Sequence, residues 1–258
     1  MKLNIVRADP AGNITLFVLN PVSRERRAGI AARLMAVPEL GAEQVGFVCP
    51  PREGGGARME MMAGEFCGNA TRAFGMMAAR RTGCPRVRVE TSGCAHPVTV
   101  DCDLTAGTAR AEMPLPRWVK RCSVSGQDGT LVHLGGIVHL VVENAAPRKD
   151  FFLQAEPVLQ AIPGLDAYGV IFLNGTRHLT PLVKVPATGT LVWEGSCGSG
   201  SLAAALAQGT GSPDGTFERD YVQPAGTVRA TVIWKGGKAS AAYIGGPVTL
   251  GKPVRVEL

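Results

Sequence analysis

Two segments of this chain are near copies of each other. Residues 64–71 read GEFCGNAT and residues 194–201 read EGSCGSGS, and each segment runs into an alanine-rich stretch typical of a helix. The pattern predicts that Cys67 and Cys197 each stand at the N-terminus of a helix. Unpaired amide groups and the helix dipole favour negative charge there, so such a position can stabilise a thiolate or hold a carboxylate.

The surroundings of the two segments follow one plan. In each half of the chain, alternating apolar residues predict strands before and after the cysteine-headed helix, with glycine or proline between them. Further helices are predicted over residues 23–36 and 151–162. We therefore predict an α/β protein with an internal duplication. The first domain is expected over residues 1–114, completed by a returning strand at 248–258, and the second over 117–247.

Composition excludes several classes of function. The chain has 258 residues, of which 45% are hydrophobic and 19% charged, as is typical of a soluble globular protein. Its net charge of +6 comes from scattered basic residues, and only 5% of residues are aromatic, so we expect no nucleic-acid partner. No apolar run is long enough for a signal peptide core or a membrane span, which predicts a cytoplasmic protein with no membrane partner.

Cysteine usage argues against a metal site. Seven cysteines include no C-x-x-C pair, and only four histidines are present. This spacing does not suit zinc, so we predict no metal. Free thiols are typical of a reducing cytoplasm.

A pair of equivalent thiols suits one reaction in particular. Removing the α-proton of an amino acid and returning it on the opposite face requires one base and one acid. A thiolate and a thiol supply both without a cofactor. The amide groups of Gly68, Asn69, Gly198 and Ser199 are candidates to bind the substrate carboxylate as negative charge develops.

Other readings of the two segments stay open. A cysteine hydrolase needs one nucleophile with a histidine partner and has no use for the second segment. A phosphate-binding loop lacks the lysine that would follow it. A protein that only binds an amino acid would keep the same helix N-termini without catalysis.

At this point a resemblance to a known family is clear. The segments at 9–15, 43–47, 65–71, 92–94, 193–200 and 223–226 occur in the order seen in the two-cysteine racemase and epimerase superfamily, which includes diaminopimelate epimerase. Within it, the chain resembles the histidine racemases of opine-type metallophore biosynthesis. The resemblance covers nearly the whole chain.

The resemblance implies two pseudo-symmetric domains, each a mixed β-sheet wrapped around a central helix, with the active site in the cleft between them. It implies that Cys67 and Cys197 are the acid/base pair. It places Asn13, Asn69 and Ser199 near the substrate carboxylate and amine. The reaction that the resemblance implies needs no cofactor, and the resemblance is compatible with a homodimer.

Two further residues have two readings each. Glu43 lies in a shared segment and is expected either to contact the substrate or to be a surface carboxylate. His139 falls in a segment that resembles one lining the family cleft, yet its apolar neighbours are equally typical of a core histidine.

The departures from the family pattern restrict the substrate. Diaminopimelate epimerases carry an arginine shortly before the second cysteine, which grips the distal carboxylate of the substrate. Residues 186–193 of this chain contain no arginine, and a buried carboxylate without a partner is costly. Cysteine at both positions also argues against the phenazine-biosynthesis-like isomerases. We predict a racemase of L-histidine, with another amino acid such as diaminopimelate as the alternative.

Overall fold

The computed structural model describes residues 1–186 and 189–258. Four α-helices are present in this part of the chain: α1 (Arg24–Met35), α2 (Gly68–Thr82), α3 (Lys149–Gln160) and α4 (Gly198–Gly209). The first nine strands are β1 (Lys2–Asp9), β2 (Thr15–Val18), β3 (Gln44–Cys49), β4 (Ala57–Met61), β5 (Arg86–Thr91), β6 (Val98–Asp103), β7 (Thr108–Glu112), β8 (Trp118–Val124) and β9 (Gln127–His133). The remaining strands are β10 (Ile137–Glu143), β11 (Ala167–Asn174), β12 (His178–Val185), β13 (Thr190–Trp193), β14 (Gly215–Gln223), β15 (Gly226–Lys235), β16 (Lys238–Pro247), β17 (Thr249–Leu250) and β18 (Val254–Glu257).

The chain divides into two compact units. Unit 1 contains residues 1–112 and 245–258, and unit 2 contains residues 113–244. The C-terminal strands β17 and β18 both pair with β1, so the end of the chain belongs to the same unit as its beginning.

Unit 1 is a mixed sheet with helical crossovers. Strands β2 and β3 are parallel and joined through α1, and strands β4 and β5 are parallel and joined through α2. The pairs β1–β2, β3–β4, β5–β6 and β6–β7 are antiparallel. A helix is the usual way to join parallel neighbours, because the chain must return to the same end of the sheet.

The helix α2 is the centre of the unit 1 core. Eleven of its fifteen residues are buried, and it packs against β5, β6 and β7. Small residues such as Ala70, Ala73 and Gly75 allow this close approach. A helix that is buried on nearly all sides is stabilised by tertiary packing, since it has no broad polar face to present to water.

Unit 2 repeats this arrangement. Strands β10 and β11 are parallel and joined through α3, while β8–β9, β9–β10, β11–β12 and β14–β15 are antiparallel. The helix α4 packs against β15, β14, β10 and β9, and ten of its twelve residues are buried. The run Leu202–Ala207 has almost no exposed surface. The predicted α/β class, with mixed sheets around a central helix, is confirmed.

Most predicted elements are present, with two differences. The helices predicted at 23–36 and 151–162 correspond to α1 and α3. The strands β8 and β14 were not predicted. None of the helices in the described ranges has the length and apolar character needed to cross a membrane.

Candidate active site

The first predicted cysteine is the N-cap residue of α2. Cys67 has extended backbone angles (φ −126°, ψ 112°), and its Sγ accepts a hydrogen bond from the Ala70 amide at 3.4 Å. The Thr71 hydroxyl donates to the Cys67 carbonyl oxygen at 2.8 Å. The first amides of any helix lie outside its internal bonding pattern, and here they belong to Gly68 and Asn69. The sulfur and these amides are therefore held at the same end of the helix.

A polar network at the starts of β2 and β3 reaches the same thiol. Asn13 Oδ1 lies 3.9 Å from Cys67 Sγ and accepts from Gln44 Nε2 at 2.6 Å. Asn13 Nδ2 donates to a Glu43 carboxylate oxygen at 2.9 Å. Gln44 also donates to the Thr15 hydroxyl at 2.8 Å, which fixes its amide. The network orients the Asn13 amide toward Cys67.

Glu43 is consequently more than an isolated surface carboxylate. Although much of the residue is exposed, partial burial raises the pKa of its carboxyl, while the hydrogen bond from Asn13 lowers it and the nearby Asp9 charge raises it. Its placement beside Asn13 is compatible with the predicted contact between Glu43 and the substrate.

Behind Cys67 lies a buried arginine that the sequence did not single out. Arg72 has no exposed surface and donates through Nε to Asn69 Oδ1 at 3.2 Å. Its terminal nitrogens donate to the carbonyl oxygens of Pro10 at 2.8 Å and Pro247 at 3.0 Å. The guanidinium thus ties the start of α2 to the loop after β1 and to the end of β16.

The second predicted cysteine is the N-cap residue of α4, with nearly the same geometry. Cys197 has φ −120° and ψ 110°, and its Sγ accepts from the Gly200 amide at 3.3 Å. The Ser201 hydroxyl donates to the Cys197 carbonyl oxygen at 2.8 Å. Gln223 accepts from the Cys197 amide at 2.7 Å and donates to the Ser201 hydroxyl at 2.9 Å. Buried hydrogen bonds therefore hold both the amide group and the carbonyl group of Cys197.

A histidine and a serine extend from this thiol into the unit 2 core. Ser199 Oγ lies 3.4 Å from Cys197 Sγ and 2.8 Å from His139 Nε2. His139 lies on β10 and has no exposed surface, and its Nδ1 has no hydrogen-bond partner among residues 1–186 and 189–258. Any effect of His139 on a bound substrate would thus be transmitted through Ser199.

The electrostatic environment of this second site is neutral or negative. Burial lowers the pKa of His139 to about 3, so its imidazole is uncharged at neutral pH. Burial and the nearby Glu194 carboxylate raise the pKa of the Cys197 thiol well above its ordinary value. Hydrogen bonds from Ser199 and Gly200 act in the opposite direction. Cys197 is therefore protonated at neutral pH.

The predicted site residues fall into two sets. Unit 1 brings together Asn13, Glu43, Cys67, Gly68 and Asn69. Unit 2 brings together His139, Cys197, Gly198 and Ser199.

Three residues of these networks had no predicted role. Gln44 and Gln223 lie in segments that had been matched to the family, and their buried amides make several hydrogen bonds each. Arg72 could have been found as the one charged residue of α2 before its last turn.

Two further thiols, those of Cys94 and Cys102, are in surroundings that disfavour a thiolate. Burial raises the pKa of Cys94 and of Cys102 to about 11, with help from Glu112 and Asp101 respectively. Within the described residues, no group of three or more His, Cys, Asp and Glu side chains is placed to hold a metal ion.

Comparisons with known sequences identify relatives along most of the chain. Residues 2–252 match the family model described as the histidine racemase CntK N-terminal domain. Histidine racemase from Staphylococcus aureus is 25% identical over 238 residues, which is 86% of each chain. Histidine racemase from Fusobacterium nucleatum is 28% identical over 214 residues, which is 78% of each chain.

Solved structures share the fold at low sequence identity. A phenazine biosynthesis protein of the PhzF family from Bacillus anthracis superposes with a TM-score of 0.71 at 17% identity, over 100% of both chains. A hydroxyproline epimerase from Agrobacterium vitis superposes with a TM-score of 0.63 at 14% identity, over 99% of this chain and 92% of that one. At these identities the likeness shows the fold alone.

Together, the fold and the matched sequences define an amino-acid racemase, an isomerase of the racemase and epimerase class. The chain belongs to the family of the histidine racemase CntK N-terminal domain, whose model spans nearly its whole length. The predicted family resemblance is confirmed.

Proposed function

We propose that this protein interconverts L- and D-histidine with Cys67 and Cys197 as its acid/base pair, and that it needs no cofactor. The observation that carries the proposal is the repeated geometry of the two thiols. Each cysteine is an N-cap residue whose sulfur accepts from the third amide of its helix, at 3.4 Å in α2 and 3.3 Å in α4. Two equivalent thiols match a reaction that needs one proton carrier for each face of a carbon.

In the proposed reaction, a thiolate takes the α-proton and the electrons of the Cα–H bond remain on the substrate as a carbanion. The other thiol then donates its proton to the opposite face of Cα, which inverts the configuration and leaves that sulfur as the thiolate. Negative charge spreads onto the substrate carboxylate in the intermediate. The amides at the starts of α2 and α4 are the donors that support this charge.

Histidine as the substrate rests on two observations. The matched relatives in Staphylococcus aureus and Fusobacterium nucleatum are histidine racemases. Residues 186–193 also contain no arginine to pair with a second carboxylate, although residues 187 and 188 lie outside the described part of the chain. Trp193, which is 38% exposed, is a candidate to contact an imidazole ring. By the same resemblance, D-histidine would serve the biosynthesis of an opine-type metallophore.

The test is a panel of L-amino acids and diaminopimelate incubated with the enzyme in deuterated water under reducing conditions. We expect deuterium at the Cα of histidine, together with D-histidine detected by chiral chromatography. We expect kcat/KM for L-histidine to exceed that for diaminopimelate by at least about a hundredfold, since one unmet charged contact costs roughly 3 kcal/mol.

Other outcomes would separate the alternatives. Comparable rates on histidine and diaminopimelate would contradict the substrate assignment and leave the two-thiol mechanism standing. Binding of an amino acid without deuterium exchange would indicate a binding protein with a racemase fold.

A further inference from the structure

The two cysteine-headed helices differ at the fifth residue after the cysteine. In α2 this residue is Arg72, and in α4 it is Leu202. Both side chains have no exposed surface. One thiol therefore shares its helix terminus with a buried cation, and the other shares it with an aliphatic side chain.

The Arg72 guanidinium is held by neutral groups. Its three hydrogen-bond acceptors are the Asn69 side-chain oxygen and the carbonyl oxygens of Pro10 and Pro247. Burial lowers the pKa of Arg72 to about 10, and the charges of Cys67 and Asp9 act to raise it. Because this value is well above neutral pH, the guanidinium stays charged. A buried charge without a directly bonded counter-charge is costly unless nearby anions compensate it.

The Arg72 side chain runs back toward the N-terminal end of α2, where Cys67 is the N-cap residue. Helical side chains point back toward the helix N-terminus, and the bond from Arg72 to Asn69 follows this direction. Interaction energies are reciprocal. A Cys67 thiolate that stabilises the charged form of Arg72 is therefore itself stabilised by the guanidinium. The dipole of α2 adds to the same effect.

Nearby carboxylates also affect the charge at each sulfur. Asp9 at the end of β1 stabilises the charged Arg72, whereas Glu43 beside Asn13 opposes a thiolate at Cys67, and burial raises the pKa of Glu43. The Glu194 carboxylate acts on Cys197, and His139 is neutral. The balance favours negative charge at the first sulfur over the second.

We infer that Arg72 is a positioning residue that makes Cys67 the resting thiolate and leaves Cys197 as the resting thiol. The inference deepens the proposed function, because it assigns the base and the acid of the first half-reaction. The Cys67 sulfur takes the α-proton and Cys197 supplies its own. The proton must then pass back from Cys67 to Cys197 before a second molecule of the same enantiomer reacts.

The test measures the thiols directly and without substrate. The full-length reduced protein is alkylated with iodoacetamide to low conversion between pH 5 and pH 11, and peptides containing each cysteine are quantified by mass spectrometry. The midpoint of each rate profile reports ionisation, whereas accessibility alters only the plateau. We expect the Cys67 midpoint to lie at least about 1 pH unit below that of Cys197, the scale expected for a nearby opposite charge.

Three variants separate charge from structure. Arg72→Gln keeps a donor to Asn69 but removes the charge, and should raise the Cys67 midpoint by about 1 pH unit with no change at Cys197. Arg72→Lys keeps the charge and should restore most of the difference. Leu202→Met is the matched change in α4 and should leave both midpoints and racemisation unchanged.

Equal midpoints in the wild-type protein, or a lower midpoint at Cys197, would overturn the inference whether or not any variant folds. An unchanged Cys67 midpoint in Arg72→Gln with a native circular dichroism spectrum would also overturn it. Since alkylation requires no turnover, these results are independent of the proposed racemase reaction. Failure of that reaction would instead appear as absence of deuterium exchange.

Discussion

The N-termini of α2 and α4 have the same backbone geometry but different electrostatic surroundings. Each has an extended N-cap cysteine, a third amide bonded to the sulfur, and a hydroxyl four residues on, from Thr71 or Ser201, bonded to the cysteine carbonyl. The helix that begins after Cys67 contains a buried guanidinium, whereas the Glu194 carboxylate acts on Cys197 and a neutral imidazole bonds Ser199 beside it. The comparison shows that the two helix N-termini hold their thiols in the same way but place different charged groups near them.

The largest expected effect comes from removing either thiol. Cys67→Ala and Cys197→Ala should each lower racemisation by at least about 10³-fold, because one face of Cα then lacks its proton carrier. Cys→Ser at either position should be nearly as damaging, since an alcohol is a much weaker acid than a thiol. The measurement is circular dichroism of the histidine enantiomers, with the exposed Cys84→Ala as the control. Near-normal racemisation by either alanine variant would contradict the requirement for two thiols.

A smaller effect is expected from the histidine that is particular to the α4 site. His139→Asn should lower kcat by about tenfold, the scale of one lost buried hydrogen bond. If His139 acts only by orienting Ser199, then Ser199→Ala should lower kcat similarly and the double variant should be little worse than either single one. Fully additive losses would show that the two residues act separately.

The neutral state of His139 also predicts a pH dependence of stability. Its pKa is about 3 in the folded protein and about 6.5 when unfolded, so the unfolded state binds the additional proton in this window. The free energy of unfolding should therefore fall as the pH drops from about 6.5 toward 3, with a contribution from this residue of up to about 1.4 kcal/mol per pH unit. Denaturant unfolding of wild type and His139→Asn at several pH values isolates this contribution, because other titrating groups are common to both. Equal slopes would contradict a neutral buried His139.

The smallest effect concerns packing at the eighth residue after each cysteine, which is Gly75 in α2 and Ala205 in α4. A Cβ on Gly75 would lie 2.6 Å from the Cβ of Val100. Gly75→Ala should therefore lower the free energy of unfolding by about 1–3 kcal/mol. Gly29→Ala in the exposed face of α1 meets no atom within 4 Å and should raise it by about 0.5–1 kcal/mol. Denaturant unfolding measures both, and a neutral Gly75→Ala would show that Val100 can move.

Strand β14, which was not predicted, shows why strands that depend on long-range pairing are hard to predict from local sequence patterns. Strand β14 contains Glu218, Arg219 and Asp220 in succession, a run that is typical of a loop. In the structure, Arg229 of β15 bonds the Asp220 carboxylate at 2.7 Å, and Thr231 bonds Glu218 at 2.8 Å. These cross-strand contacts compensate for the polar composition of the strand.

The sequence by itself determined the features that depend on near neighbours. A cysteine and glycine ahead of an alanine-rich run are sufficient to predict an N-cap thiol, because capping involves residues three or four positions apart. The repetition of this pattern predicted the duplication and the pair of candidate catalytic thiols. Only the tertiary structure decided what surrounds each thiol. Asn13 and Cys67 are 54 residues apart, His139 and Ser199 are 60 apart, and Arg72 and Pro247 are 175 apart. These contacts form because strands and helices distant in sequence pack together, and burial there sets the charge of each group.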